Sequence, residues 1–312
     1  MSTRERAMIC EVGPRDGLQI AKTRMSTPDK LAWIEAIAAA GVGEIEIGSF
    51  VPPRVIPQMA DTGEILAGSL RLLDRYPDLV VQTLIPNLRG AQAAYEGGAH
   101  RVSIPVSVSE GHSRSNLNRS VDEQIAEVER IIAWVRAQPR AMPVLAACST
   151  AFGCSIDGVV RTEQVVRVAA GLAEAGADQV MLADTVGYAH PAQIKEVVRA
   201  VRAEIGDRLG GIHLHDTCGL GIANALAALE EGVRQFDSCI AGLGGCPYAP
   251  GASGNIVTED LVFMLESMGF ATGIDLAKLL EARAVLHAGL PAEPMHGQLP
   301  KAGIPRTFKA AA

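Results

Sequence analysis

At 312 residues, 48% hydrophobic and 20% charged, the chain has an ordinary globular balance and the length to bury a large core. A formal net charge of −7, with no dense Lys/Arg block, argues against a nucleic-acid binder. No run approaches the roughly 18 to 20 uninterrupted apolar residues of a membrane helix. The six cysteines form no C-x-x-C pair and the stretch MSTRERAMIC has no apolar run of signal type, so reduced thiols and a cytoplasmic location are expected.

The chain then reads as one alternation. An apolar run at 7–12 precedes a turn and a helical stretch at 28–40. Next come 43–47 with a helix from about 61 to 75, 79–84 with 88–97, and 100–105 with 121–137. The series continues as 143–148 with 161–175, 179–182 with 191–204, 211–214 with 221–230, and 235–240 with 259–268. The strands are short and nearly continuously apolar, as in a parallel sheet buried on both faces. STPDK at 26–30 places Thr27 at an N-cap and Pro28 at the first helical position. AAAGV, EGGAH, EAGAD and EEGVR each put a glycine just past a helix and before a strand.

Eight such units over residues 1–272 predict an α/β fold, a (β/α)8 TIM barrel forming the catalytic domain. A doubly wound sheet is the alternative. Residues 273–312 add one more helix, at 275–288, and a Pro/Gly-rich end. They read as a short C-terminal helical extension packed on the barrel, without a separate domain.

Barrel chemistry gathers at the C-terminal ends of the strands, and the polar constellations fall there. GPRDGLQ follows the first strand, EIEIGSF ends the second, ADTVG the sixth and HLHDT the seventh, and GLGGCPYAPGASGN follows the eighth. His213 and His215 stand at i and i+2, on one face of a strand. Two neutral imidazoles suit a divalent ion, with oxygen ligands to be drawn from Asp16, Glu46, Asp184, Asp216 and Asn255. Mostly oxygen and water beyond two nitrogens suggests octahedral Mg²⁺ or Mn²⁺ in preference to a structural zinc. Asp216, directly after His215, faces the other way and reads as a structural partner. Arg15 and Asp16 lie in a tight turn bounded by Pro14 and Gly17; if both are extended they cannot point the same way, and one can ligate a metal while the other faces an anion.

Two loops remain. Residues 242–255 carry five glycines, two prolines and Cys246, an exposed thiol suited to acid/base or lid duty. SVSEGHSRSNLNRS at 107–120 reads as a solvated polar loop.

EVGPRDGLQ, GSFVPPRVIPQMAD, PNLRG, HLHDTCGLGIANALAAL and AGLGGCPYAPGASGNIVTEDLVFMLE together resemble the hydroxymethylglutaryl-CoA lyase family, from about residue 8 to 290. RDG and HxHDT are shared with isopropylmalate synthase-like relatives; the glycine–cysteine loop with its trailing GASGN is specific to the lyase branch. The resemblance implies metal ligands Asp16, His213, His215 and Asn255. It implies Arg15 facing the thioester oxygen, Glu46 and Asp184 lining the metal pocket as supports or proton relays, and Cys246 as a catalytic thiol. It makes Lys22 a CoA contact. It further implies an acyl-CoA substrate, a divalent cation, a homodimer or higher homo-oligomer, a place in leucine catabolism, and no nucleic-acid or membrane partner. Cleavage of 3-hydroxy-3-methylglutaryl-CoA to acetoacetate and acetyl-CoA is the expected reaction. A lyase for citramalyl-CoA or a longer branched 3-hydroxyglutaryl-CoA, and an acetyl-CoA/2-keto-acid condensing transferase, are the alternatives. The chain departs from the family at Ile20, where Asn is common, and at EIGSF, where ETTSF is common. Both changes bear on the acyl group and leave the metal motifs intact.

Overall fold

Eight parallel strands close on themselves in chain order. They are β1 (Met8–Glu11), β2 (Glu44–Ser49), β3 (Val80–Leu84), β4 (Arg101–Ser107), β5 (Val144–Ser149), β6 (Gln179–Asp184), β7 (Leu209–Leu214) and β8 (Gln235–Ser238). The computed structural model describes residues 4–244 and 254–308. Closure is made by β1, whose Cys10 stands between Glu44 of β2 and Asp237 of β8. The doubly wound alternative is thereby excluded.

The main helices follow the strands: α1 (Thr27–Ala39), α2 (Thr62–Leu70), α3 (Leu88–Glu96), α4 (Glu110–Leu117), α5 (Val121–Arg136), α6 (Thr162–Glu174), α7 (Pro191–Ile205), α8 (Gly221–Glu230) and α9 (Thr258–Ser267). Two more, α10 (Leu276–Gly289) and α11 (Leu299–Ala302), complete the described chain. The α1 cap is Ser26, one residue before the expected Thr27; its hydroxyl accepts the Asp29 N–H, and Pro28 sits in the first turn. At α5, Ser120 and Glu123 close a reciprocal capping box.

The glycines after α1, α3, α6 and α8 all have φ between +84° and +94°, a conformation that releases the chain from helix to strand without a Cβ penalty. Gly41 has a second constraint. A Cβ there would run into the carbonyl oxygen of Gly273, where the C-terminal extension comes in. Asp275 donates its backbone N–H to Ala40 O (2.8 Å) and caps α10, which packs along α1 through buried Leu279, Ala282 and Leu286.

The apolar core lies between sheet and helices, with Trp33, Ile34 and Ile37 of α1 wholly buried. Inside the barrel the chemistry differs. Glu44, Glu46, Gln82 and Ser103 are buried polar residues on β2, β3 and β4. Segment 107–120, expected as a solvated loop, instead forms the end of β4 and then α4, and His112 is buried.

Candidate active site

Segment 13–17 leaves β1 as a single π-helical turn, GPRDG. The tight turn expected for Arg15 and Asp16 is therefore present, in coiled form. Because the backbone coils, the two side chains meet, and Arg15 Nη1 bonds Asp16 Oδ1. The other edge of the guanidinium, Nε, bonds Glu46 Oε2 on β2. Burial alone would lower the Arg15 pKa, but Glu46 and Asp16 outweigh it and hold the cation firmly charged.

Asp16, His213 and His215 converge, with ligand atoms all within 4.8 Å of one another and all three residues buried. The two imidazoles face each other Nε2 to Nε2 at 3.0 Å, and His215 Nε2 lies 3.5 Å from Asp16 Oδ2. Burial would raise the Asp16 carboxyl, yet Arg15, His215 and His213 together hold it well below the ordinary carboxylate range.

Asn255 arrives from the segment after β8, which pairs with the end of β7. Ile256 N donates to Leu214 O (3.0 Å), and a bridge joins His215 to Asn255. The Asn255 Nδ2 donates to Asp16 Oδ2 (2.7 Å), while its Oδ1 is buried with no partner.

This donor set fits a divalent cation. His213 Nδ1 sits 3.0 Å from the acceptor-only carboxylate of Asp237, so in the neutral ring Nδ1 carries the proton and Nε2 presents its lone pair. Two imidazole nitrogens and an ionised carboxylate then lie close together, with the Asn255 amide, whose oxygen is unpartnered, bonded to that carboxylate. Such a set suits a hard or borderline ion with open positions, not a closed thiolate site.

Asp237 is the residue that sequence reasoning missed. It stands directly opposite His213 in the β7–β8 register. Burial raises its pKa, offset by its bond to His213. Burial would lower the His213 pKa, but the bond to Asp237 and the charges of Asp16 and Asp237 together outweigh it and the net shift is upward.

The cluster opens into a cavity of about 850 Å³, lined among others by Arg15, Gln19, Glu46, Pro105, Ala147 and His213. Residues 115–119 of the α4 region also line it. Asp184 does not, although Ala183 and Thr185 do; its buried carboxylate accepts the N–H groups of Tyr188 and Ala189 (both 3.1 Å). Asp216 accepts the Gly221 N–H (2.7 Å) at the start of α8. Lys22 is exposed, just past the cavity-lining Gln19 and Ile20, and its backbone N–H bonds Glu293 (2.7 Å). Cys246 lies outside the described residues.

The HMGL-like family model matches residues 6–286. This chain belongs to the HMGL-like family. A mitochondrial hydroxymethylglutaryl-CoA lyase of Macaca fascicularis is 43% identical over 274 residues, 88% of this chain and 82% of that protein. A hydroxymethylglutaryl-CoA lyase of Bacillus subtilis is 41% identical over 278 residues, 89% of this chain and 91% of that one. Among solved structures, an HMG-CoA lyase from Acinetobacter baumannii in complex with coenzyme A and 3-methylmalate superimposes with a TM-score of 0.89. It is 38% identical and covers 97% of each chain. The barrel and the family expected from the motifs are therefore those of the protein.

Proposed function

We propose that this HMGL-like protein is a divalent-metal-dependent carbon–carbon lyase that cleaves 3-hydroxy-3-methylglutaryl-CoA to acetoacetate and acetyl-CoA. The observation that carries this reading is the convergence of Asp16, His213, His215 and Arg15 at one cavity, in a chain about 40% identical to lyases of that name over nearly nine tenths of its length.

Asp16, His213, His215 and Asn255 would hold the cation. When bound, it would supply Lewis acidity toward oxygens of the acyl chain and so ease transfer of the 3-hydroxyl proton to a nearby base. The C2–C3 bond then breaks, C3 becomes a ketone, and the electron pair passes to C2 and the thioester oxygen. We assign Arg15 to meet that charge. Its Nε and Nη1 are fixed by Glu46 and Asp16 while the side chain lines the cavity, so the donors need no rearrangement as charge develops. Protonation of C2 releases acetyl-CoA, and we assign that proton to Cys246 or a water it positions. We assign Lys22 to coenzyme A, take Mg²⁺ or Mn²⁺ as the cation, and infer a cytoplasmic homo-oligomer working in leucine catabolism. No described helix is long and apolar enough to cross a membrane.

The test is a panel of 3-hydroxyacyl-CoA thioesters, with the 3-methylglutaryl and citramalyl forms among them, assayed for acetyl-CoA release with Mg²⁺ or Mn²⁺ and after chelation. The expected result is fastest release from the 3-methylglutaryl thioester and none without metal. Faster release from another thioester, or condensation of acetyl-CoA with a 2-keto acid in place of cleavage, would reject the assignment.

A further inference from the structure

The guanidinium of Arg15 is held from below by a row of side chains that crosses three strands. Glu46, Gln82 and Arg101 are lateral neighbours, Glu46 opposite Gln82 and Gln82 opposite Arg101 in strand register. Their hydrogen bonds converge on the Glu46 carboxylate from both sides. Arg101 Nε donates to Gln82 Oε1 (2.8 Å), Gln82 Nε2 donates to Glu46 Oε1 (3.0 Å), and Arg15 Nε donates to Glu46 Oε2. Ser103, two residues along β4, adds its hydroxyl to Glu46 Oε1.

The direction follows from chemistry. A guanidinium has only donors, so the oxygen of the Gln82 amide must face Arg101. Its NH₂ is then left for Glu46. With Oε1 occupied by Gln82 and Ser103, Glu46 presents Oε2 to the turn that carries Arg15. Arg101 is itself braced, by Gln179 Oε1 (3.1 Å) on β6 and by Glu44 on β2. All three of these residues stand at or near the N-terminal ends of their strands, the end of a barrel usually given to stability. Arg101 does not line the cavity; Glu46, Gln82 and Ser103 do, with the Gln82 amide and the Ser103 hydroxyl both spent on Glu46.

We propose that Gln82, Ser103 and Arg101 are positioning residues that orient the catalytic Arg15 through Glu46. Their effect therefore appears in turnover and not in capture of substrate or metal. This rests on the lyase reading for its kinetic arm only.

Gln82→Met keeps the length of the side chain and removes the amide. It is expected to lower kcat about tenfold, the scale of a lost hydrogen bond to a charged group, with KM and the Mn²⁺ dissociation constant unchanged. In an Arg15→Lys background the same change should cost little, because neighbours acting through one residue are not additive. Ser103→Ala should lower kcat in the same sense, and Ser103→Thr, which restores the hydroxyl, should recover most of it. A full effect of Gln82→Met in the Arg15→Lys background, a kcat within twofold of the parent, or no recovery by Ser103→Thr would each overturn the proposal. Where Gln82→Met does not fold, the Ser103 pair decides.

A readout independent of substrate separates this from failure of the lyase reading. The Arg15 Nε–H resonance of ¹⁵N-labelled metal-free protein, assigned by its loss in Arg15→Lys, should exchange slowly with water in the parent. It should exchange several-fold faster in Ser103→Ala and return in Ser103→Thr. Unchanged exchange in Ser103→Ala refutes the positioning role whatever the thioester panel shows.

Discussion

His213 and Asp237 are 24 positions apart and lie 3.0 Å from each other across two strands. The two histidines are visible in HLHDT, because alternate residues of a strand share a face. Asp237 is not, because QFDSC reads as any short buried strand and its partner appears only when β8 closes beside β7. The same holds for Gln82 and Ser103, which meet Glu46 only through register. Arg15 and Asp16 were legible as a functional turn but not as a contacting pair, since a π-helical turn leaves no sequence period. Asp237 has a measurable consequence. Asp237→Asn keeps the shape but weakens the acceptor that fixes the His213 tautomer, and metal affinity should fall by roughly 10- to 100-fold. Titration with Mn²⁺ followed by calorimetry measures this directly, and an unchanged dissociation constant would exclude the orienting role.

Elements were legible where period and punctuation agreed. Long helices such as α5 and α7 carry an apolar stripe and a cap, and each was placed to within about two residues. The α4 helix was missed because EGHSRSNL has no such stripe. It is held by polar bonds across elements. Glu110 accepts the Val121 N–H, the Ser113 hydroxyl bonds Arg119 O, and Asn118 ends the helix with φ +54°. Tertiary hydrogen bonding decided what local propensity did not. Gly41 offers a test of a sequence signal that was read correctly. Its φ of +91° and its approach to the Gly273 carbonyl leave no room for a side chain. Gly41→Ala should cost about 2 kcal/mol or more in urea unfolding, while the kcat of the folded protein stays near its parent value because the site lies at the opposite ends of the strands. A loss under about 0.5 kcal/mol would show that the extension does not press on this turn.

For the whole molecule, eight repeats announced a barrel, yet closure depends on β1 finding β8 across more than 220 residues, a contact no local pattern contains. Closure also gathers acids in the interior, and this sets how the metal-free protein responds to pH. Burial pushes Glu11 up to about 8 and Glu44 up to about 7, the latter against the opposing pull of Arg101. Burial likewise raises Asp184, Asp237 and Glu259. His213 is raised as well, by Asp237 and Asp16 against its burial. Each of these groups holds its proton to higher pH when folded than when unfolded. Against these six stand His100 and His112, whose pKa values burial lowers and which gain stability as pH rises toward their ordinary value near 6.5; the balance leaves the folded state binding more protons, most clearly between about pH 6.5 and pH 8, and stability falls as pH rises through that window, by about 1.4 kcal/mol per pH unit for each excess proton. For His213 the stabilisation is complete below its unfolded value and is lost as pH rises through the folded one. Asp16, the buried Asp61 and Glu127, and the exposed Glu123 are shifted downward; their stabilisation is already complete above the unfolded carboxylate range and does not oppose the trend. The melting temperature of metal-free protein should thus decline from pH 6.5 to 8. A saturating divalent cation should flatten or reverse the decline, because it binds only deprotonated ligands in the folded state. A melting temperature that rises over this range without metal would show that the buried acids are charged in the fold, and that their backbone and side-chain donors outweigh burial.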